Sequence, residues 1–119
     1  MAMLTAGLIP AIAALGAAID AGRMYIVKSQ LQAGVDAAAL AGARAFGVTD
    51  NSPNSRLSQV NAYFDGNVAR NPNYMSTTAV SVTPDFRVVN GINVTTVTAR
   101  ATISMSFMRI FGVPDQELV

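Results

Sequence analysis

Residues 1–19, MAMLTAGLIPAIAALGAAI, contain no charged side chain and end at Asp20. As a helix, this stretch approaches the ~20 apolar residues that a bilayer-crossing segment needs. Small residues dominate it. Ala13/Ala17 and Ala14/Ala18 sit four apart, a spacing that lets helix backbones approach closely where lipid offers no hydrophobic drive between them. Pro10 removes a backbone donor and crowds the preceding turn, so a kink or short unwound stretch is expected over residues 5–10. The segment is not read as a signal peptide, because no Lys or Arg precedes the apolar run and no break follows it. The missing basic flank leads us to expect a processed or trimmed N-terminus.

Beyond Asp20 the sequence DAGRMYIVKSQLQAGVDAAALAGARAF, residues 20–46, is rich in good helix formers and free of proline. One rod of roughly 45 residues, about 65–70 Å long, is therefore expected, with about half of it projecting beyond a bilayer. Met24, Leu31, Val35 and Leu40 form an apolar stripe, and Gly34, Ala38 and Gly42 a row of small residues. Asp20 and Arg23 are placed to pair locally. If they are buried in a helix assembly they need partners, because an unpaired buried charge is costly. The residues expected to pack helices in an assembly are Pro10, Ala13, Ala14, Gly16, Ala17, Asp20, Arg23, Gly34, Ala38 and Gly42.

The stretch Ala2-Met3-Leu4…Ile9-Pro10, the run Ala18-Ile19-Asp20-Ala21-Gly22-Arg23-Met24-Tyr25, and Ser29-Gln30-Leu31-Gln32-Ala33…Asp36-Ala37-Ala38-Ala39-Leu40-Ala41 together resemble the N-terminal helix of the TadE/TadG-like proteins of Tad (Flp) pilus-assembly systems. Residues 99–113, ARATISMSFMRIFGV, are more distantly similar to the alternating strand and Phe-Met-x-x-Phe-Gly ending of that family. The resemblance implies a bacterial, pilin-like, membrane-inserted protein. Ordinary type IV pilins carry Glu at the fifth mature position, where this chain has Thr5, and larger family members continue into a von Willebrand factor A-like region, whereas this sequence stops soon after Gly112.

Downstream, GVTDNSPNS at residues 47–55 gathers the residue types that mark turns. The expected organisation is a hydrophobic N-terminal helix over 1–47, a linker over 48–55 and a small outer body over 56–119. Ser52 and Pro53 suit the start of a second helix. Leu57, Val60, Phe64 and Val68 recur as one apolar face, so this helix should run to about Arg70, stop before Asn71-Pro72, and cover a sheet. Tyr63 and Tyr74, without a basic cluster, make no ligand platform. From Thr77 the pattern alternates. Pro84-Asp85 is expected to turn the chain, and Asn90-Gly91 is the strongest short hairpin signal. Val97, Ala99, Ala101, Ile103, Met105 and Phe107 should face one way along the last strand. Ile92 and Val94 have the opposite parity, which a β-bulge near residues 95–96 would reconcile. The heavily Thr/Ser-substituted opposite face suits solvent. The tail from Gly112 is too short to promise another element. Asn93-Val94-Thr95 fits a glycosylation pattern and is taken as chance. The fold class expected is α+β: a long pilin-like hydrophobic helix, a short helix and a small antiparallel β-meander.

Composition narrows the function. The net charge of +1 offers no basic face for nucleic acid. With no Cys there is no disulfide or thiolate site. The lack of His removes the side chain best suited to acid–base work near neutral pH and the commonest transition-metal ligand. The seven acidic residues are scattered along the chain, and only the loop over residues 50–54 invites thought of a single cation. No catalytic residue, cofactor or metal is expected. About 70 residues beyond the long helix form a marginal core, so support from neighbouring copies is expected. The leading expectation is a structural subunit of an extracellular pilus-like filament, a homopolymer through its N-terminal helices, inserted in the inner membrane before assembly and handled by the pilus-assembly machinery. The alternative is a membrane-anchored accessory or minor-pilin component of a Tad-type system.

Overall fold

The computed structural model describes residues 2–46, 52–68 and 77–119, with side chains from residue 7 on. The molecule is elongated, 75 × 29 × 18 Å, because one helix runs its length. This helix, α1 (Ala2–Ala45), has 44 residues, about 66 Å at 1.5 Å per residue. It passes through Pro10 without interruption, so the unwound stretch expected over residues 5–10 is absent. The proline ring's φ is helical, and the loss is confined to one helix bond, the one that residue 10 would donate to the Ala6 carbonyl.

The second helix, α2 (Pro53–Asn67), starts as its sequence predicts: the Ser52 side chain accepts from the Ser55 N–H at 3.2 Å, and Pro53 occupies the first turn. It ends at Asn67, short of the expected Arg70. Val60, Phe64 and Val68 are buried, whereas Leu57 is exposed. Phe64 and Val60 are fully buried, and removing such side chains from water is worth about 1.5–3 kcal/mol each. Contrary to expectation, α2 packs mainly on α1, and α1 itself covers the sheet. One core unites Val27, Leu31 and Ala38 of α1 with the apolar face of α2 and with the inward side chains of the central strand.

The sheet has three antiparallel strands in the order β1 (Thr77–Val89), β2 (Ile92–Ile103), β3 (Gln116–Leu118), preceded at β3 by a 3₁₀ turn over Met108–Phe111. The α+β class and the hairpin agree with the sequence. Val89 pairs with Ile92 around Asn90 (φ 53°) and Gly91 (φ 78°), the two positive values that a type I′ turn requires. Three expectations are corrected. The chain does not turn at Pro84-Asp85: Pro84 pairs with Val97 inside β1. Strand β1 is an edge, so its outward side needs no N–H. The bulge lies in β1 rather than near Thr95-Thr96. Ala79, with φ 52°, and Val80 together oppose Ala101, between the pairs Thr78↔Thr102 and Ser81↔Arg100. No slip is needed in β2, because Thr95 takes the inward place on Gly42 and Ile92 and Val94 simply face out. The tail also contributes an element. Three residues suffice for β3 because β2 already presents an ordered edge: Ala101, Thr102 and Ile103 pair with Leu118, Glu117 and Gln116.

The linker at residues 47–51, with the acidic end of the loop considered for a cation, and Arg70, Asn71-Pro72 and Tyr74 lie outside the described residues.

Replacing Gly91 by Val forces a β-branched residue to positive φ. The expected cost is about 1–3 kcal/mol, read as a lowered thermal midpoint of the detergent-solubilised chain. Unchanged melting would contradict the turn.

Candidate assembly helix and its clamp

Two seams run along α1, each with a period close to seven residues. The first takes alternating steps of four and three: Ala13, Ala17, Asp20, Met24, Val27, Leu31, Gly34, Ala38, Ala41 and Ala45. Every one of these is buried or half-buried under the chain's own body. Small residues allow the close approach. A Cβ on Gly42 would lie 2.5 Å from Thr95 Cγ2 and 3.0 Å from Val60 Cγ2, and one on Gly34 would collide with Val68. Thus Gly34, Ala38 and Gly42, expected to meet a neighbouring helix, lie against α2 and β2 of the same chain. Leu40, placed with Met24, Leu31 and Val35 in the expected apolar stripe, is instead exposed. The seam could have been found in the sequence from its 4-3 spacing, but its members are mostly Ala and Gly and contrast little with their surroundings.

The second seam is Ile12, Ile19, Ile26, Ala33 and Leu40, a strict repeat of seven and exposed throughout. Its flanking column, Leu8 and Leu15, is apolar up to residue 19 and then becomes Gly22, Ser29 and Asp36. Pro10 and Ala14 are exposed, and Ala13 and Ala17 half-buried.

Asp20, one residue past the apolar segment, joins the two ends of the chain. Its side chain is 2% exposed, and it is the one buried charged residue among those described. Oδ2 accepts from the backbone N–H groups of Phe107 and Met108, both at 2.9 Å, and Oδ1 accepts from Ser106 N–H at 3.3 Å. Arg23 Nη1 lies 3.6 Å from Oδ1 and donates to Ser106 Oγ at 2.6 Å. The carboxylate therefore satisfies the orphan donors at the start of the 3₁₀ turn. These bonds, that from Met108 foremost, hold the Asp20 carboxyl below its ordinary value of 3.8; burial opposes them, and the bonds from Phe107 and Ser106 and the charge of Arg23 assist. Phe107 lies on Gly16, where a Cβ would come 2.7 Å from Phe107 Cβ. Met105 N–H, in turn, donates to Asp115 Oδ1 at 3.3 Å. The sequence indicated that Asp20 needs partners. It gave no sign that they are backbone amides more than 80 residues away.

At the far end, the Arg56 guanidinium stacks on Phe46 and Phe86, 4.5 and 5.4 Å from the ring centroids. Among the described residues no group of three acidic side chains is placed to hold a metal ion.

Residues 1–45 match the family model described as putative Flp pilus-assembly TadE/G-like. The Tad match thus coincides with α1 and leaves α2 and the sheet outside it. It associates the helix with Tad pilus assembly, and the same helix is long and apolar enough to cross a membrane. No curated protein and no solved structure matches the chain.

The two classes of helix glycine should respond oppositely to alanine. Gly34→Ala forces Val68 to move and should cost about 1–3 kcal/mol by overpacking. Gly22→Ala meets open space and should gain about 0.5–1 kcal/mol of helix stability, both measured by melting in detergent. Equal effects would contradict the inner seam.

Because the folded Asp20 carboxyl is held low, the clamp's contribution is complete above pH 3.8 and is lost as pH falls through the folded value. Asp20→Asn should lower hydrogen-exchange protection of the Phe107 and Met108 amides at neutral pH, as acid does in the wild type. Full protection in the variant would remove the charged clamp.

Proposed function

We propose that the chain is a non-catalytic structural subunit of a bacterial extracellular pilus-like filament. Its apolar segment is held in the inner membrane before assembly, the pilus machinery handles it there, and copies then polymerise through α1. The observation that carries this reading is the outer seam. A lipid-facing surface has no reason to keep a seven-residue period, whereas a partner helix in a left-handed supercoil does. Ile26, Ala33 and Leu40 continue the repeat past the uncharged segment, alongside the part of α1 that supplies Val27, Leu31 and Ala38 to the core. Lipid does not account for an apolar column there. The Tad match supports the same setting. The alternative, an anchored accessory component, draws support from Leu8, Ile9, Ile12 and Leu15, which a bilayer alone would cover.

The double variant Ile26→Glu, Leu40→Glu tests the choice. Both side chains are exposed in the single chain, so melting in detergent should be unchanged while fibres seen by electron microscopy are lost. Wild-type yields of fibres from the variant, or no fibres from the parent chain, would defeat the filament reading.

A further inference from the structure

The 3₁₀ turn and the residue before it carry three large apolar side chains toward solvent: Phe107 is 40% exposed, Ile110 78% and Phe111 55%. Within residues 101–114 the single charge is Arg109. Asp20 binds the backbone of Ser106, Phe107 and Met108, and Phe107 rests on Gly16. The turn is thereby tied beside residues 16–20, where the uncharged segment ends at Asp20. We propose that the C-terminal 3₁₀ turn is a second membrane contact, a short wedge that enters the interfacial layer of the bilayer spanned by residues 1–19. The inference rests on that insertion and adds to it a separate surface.

Three observations favour lipid as the occupant. The patch is continuous through Gly16 with the apolar segment, so a bilayer that covers residues 1–19 reaches it. Its composition, aromatic and aliphatic tips around one cation, suits the boundary between acyl chains and headgroups, into which such faces sink by about 5–10 Å. Its anchorage is rigid, through three backbone bonds to one carboxylate, so the cost of ordering the turn is met before lipid arrives. Arg109 can reach lipid phosphate while its neighbours are immersed.

The chain contains no Trp, so one introduced indole reports alone. The full chain is reconstituted in vesicles of phosphatidylethanolamine and phosphatidylglycerol, with acyl chains brominated at a shallow position. Phe111→Trp is the probe, with Ile110→Trp as a second one. Leu15→Trp reports on the apolar segment, and Val89→Trp on the hairpin at the opposite end. The expected result is blue-shifted, bromine-quenched emission from positions 111, 110 and 15 and water-like, unquenched emission from 89. Quenching at 15 without quenching at 111 and 110 overturns the wedge and leaves the membrane segment standing. Blue-shifted but unquenched emission at those two sites shows that another copy covers them and likewise overturns it. No quenching at 15, 110 or 111 overturns both the wedge and the insertion beneath it.

Discussion

A single carboxylate decides how the two ends of this chain meet. Burying Asp20 among apolar neighbours would be unfavourable on its own. Three backbone N–H groups and a nearby guanidinium compensate it. The same contact solves a second problem, since the 3₁₀ turn begins with donors that no helix bond can satisfy. Each group is the other's remedy, and so the return of the chain to the base of α1 is specific rather than a general collapse of apolar surface.

This closure sets the length of the sheet. Gly42 meets Thr95 and Gly16 meets Phe107, so β2 and its extension run antiparallel to α1. The 26 positions between the glycines span about 39 Å of helix. The 12 positions between Thr95 and Phe107, in strand as far as Ile103, would reach about 40 Å if fully extended. The reach is comparable to the helix length, so the chain from Thr95 to Phe107 follows the helix with little length to spare. Side-chain size follows from this: where α2, β2 or the segment after β2 comes closest to the α1 axis, the helix carries Gly16, Gly34, Ala38 or Gly42, and elsewhere on the inner face it carries Val27 and Leu31.

Much of this was legible in the sequence, and the errors share a cause. The rod, the capped second helix, the Asn90-Gly91 turn and the inward face from Val97 to Met105 follow from local chemistry that tertiary context does not override. Pro84 misled because a proline reads as a turn until the strand is known to be an edge. Residues 116–118 have no strand character alone and acquire it only beside β2. The row Gly34, Ala38, Gly42 correctly signalled close approach. It could not name the partner, since a small residue accepts the chain's own helix and sheet as readily as a neighbour's helix. Leu40 departs from the expected stripe because the apolar residues of α1 belong to two seams on different faces, which a single stripe merges.

The separation of the seams has a consequence for any assembly. The body is held to α1 at the base by Asp20 and along its upper half by the core, while Arg56 stacks on Phe46, just past the end of α1, and on Phe86 of β1 near the far end. These contacts join rod and body at both ends and along the core. If copies associate through the outer seam, the register chosen between helices is transmitted to the outer bodies through these contacts. A one-step slip in a seven-residue repeat displaces a copy by about 10.5 Å, which would also carry the exposed hairpin and the 3₁₀ turn past their neighbours. Apolar surface at these two ends, Val88, Val89 and Ile92 on the hairpin and Ile110 and Phe111 on the turn, is thus positioned by the same contacts that position the seam. The inner seam, though made within one chain, fixes the geometry that the outer one can use.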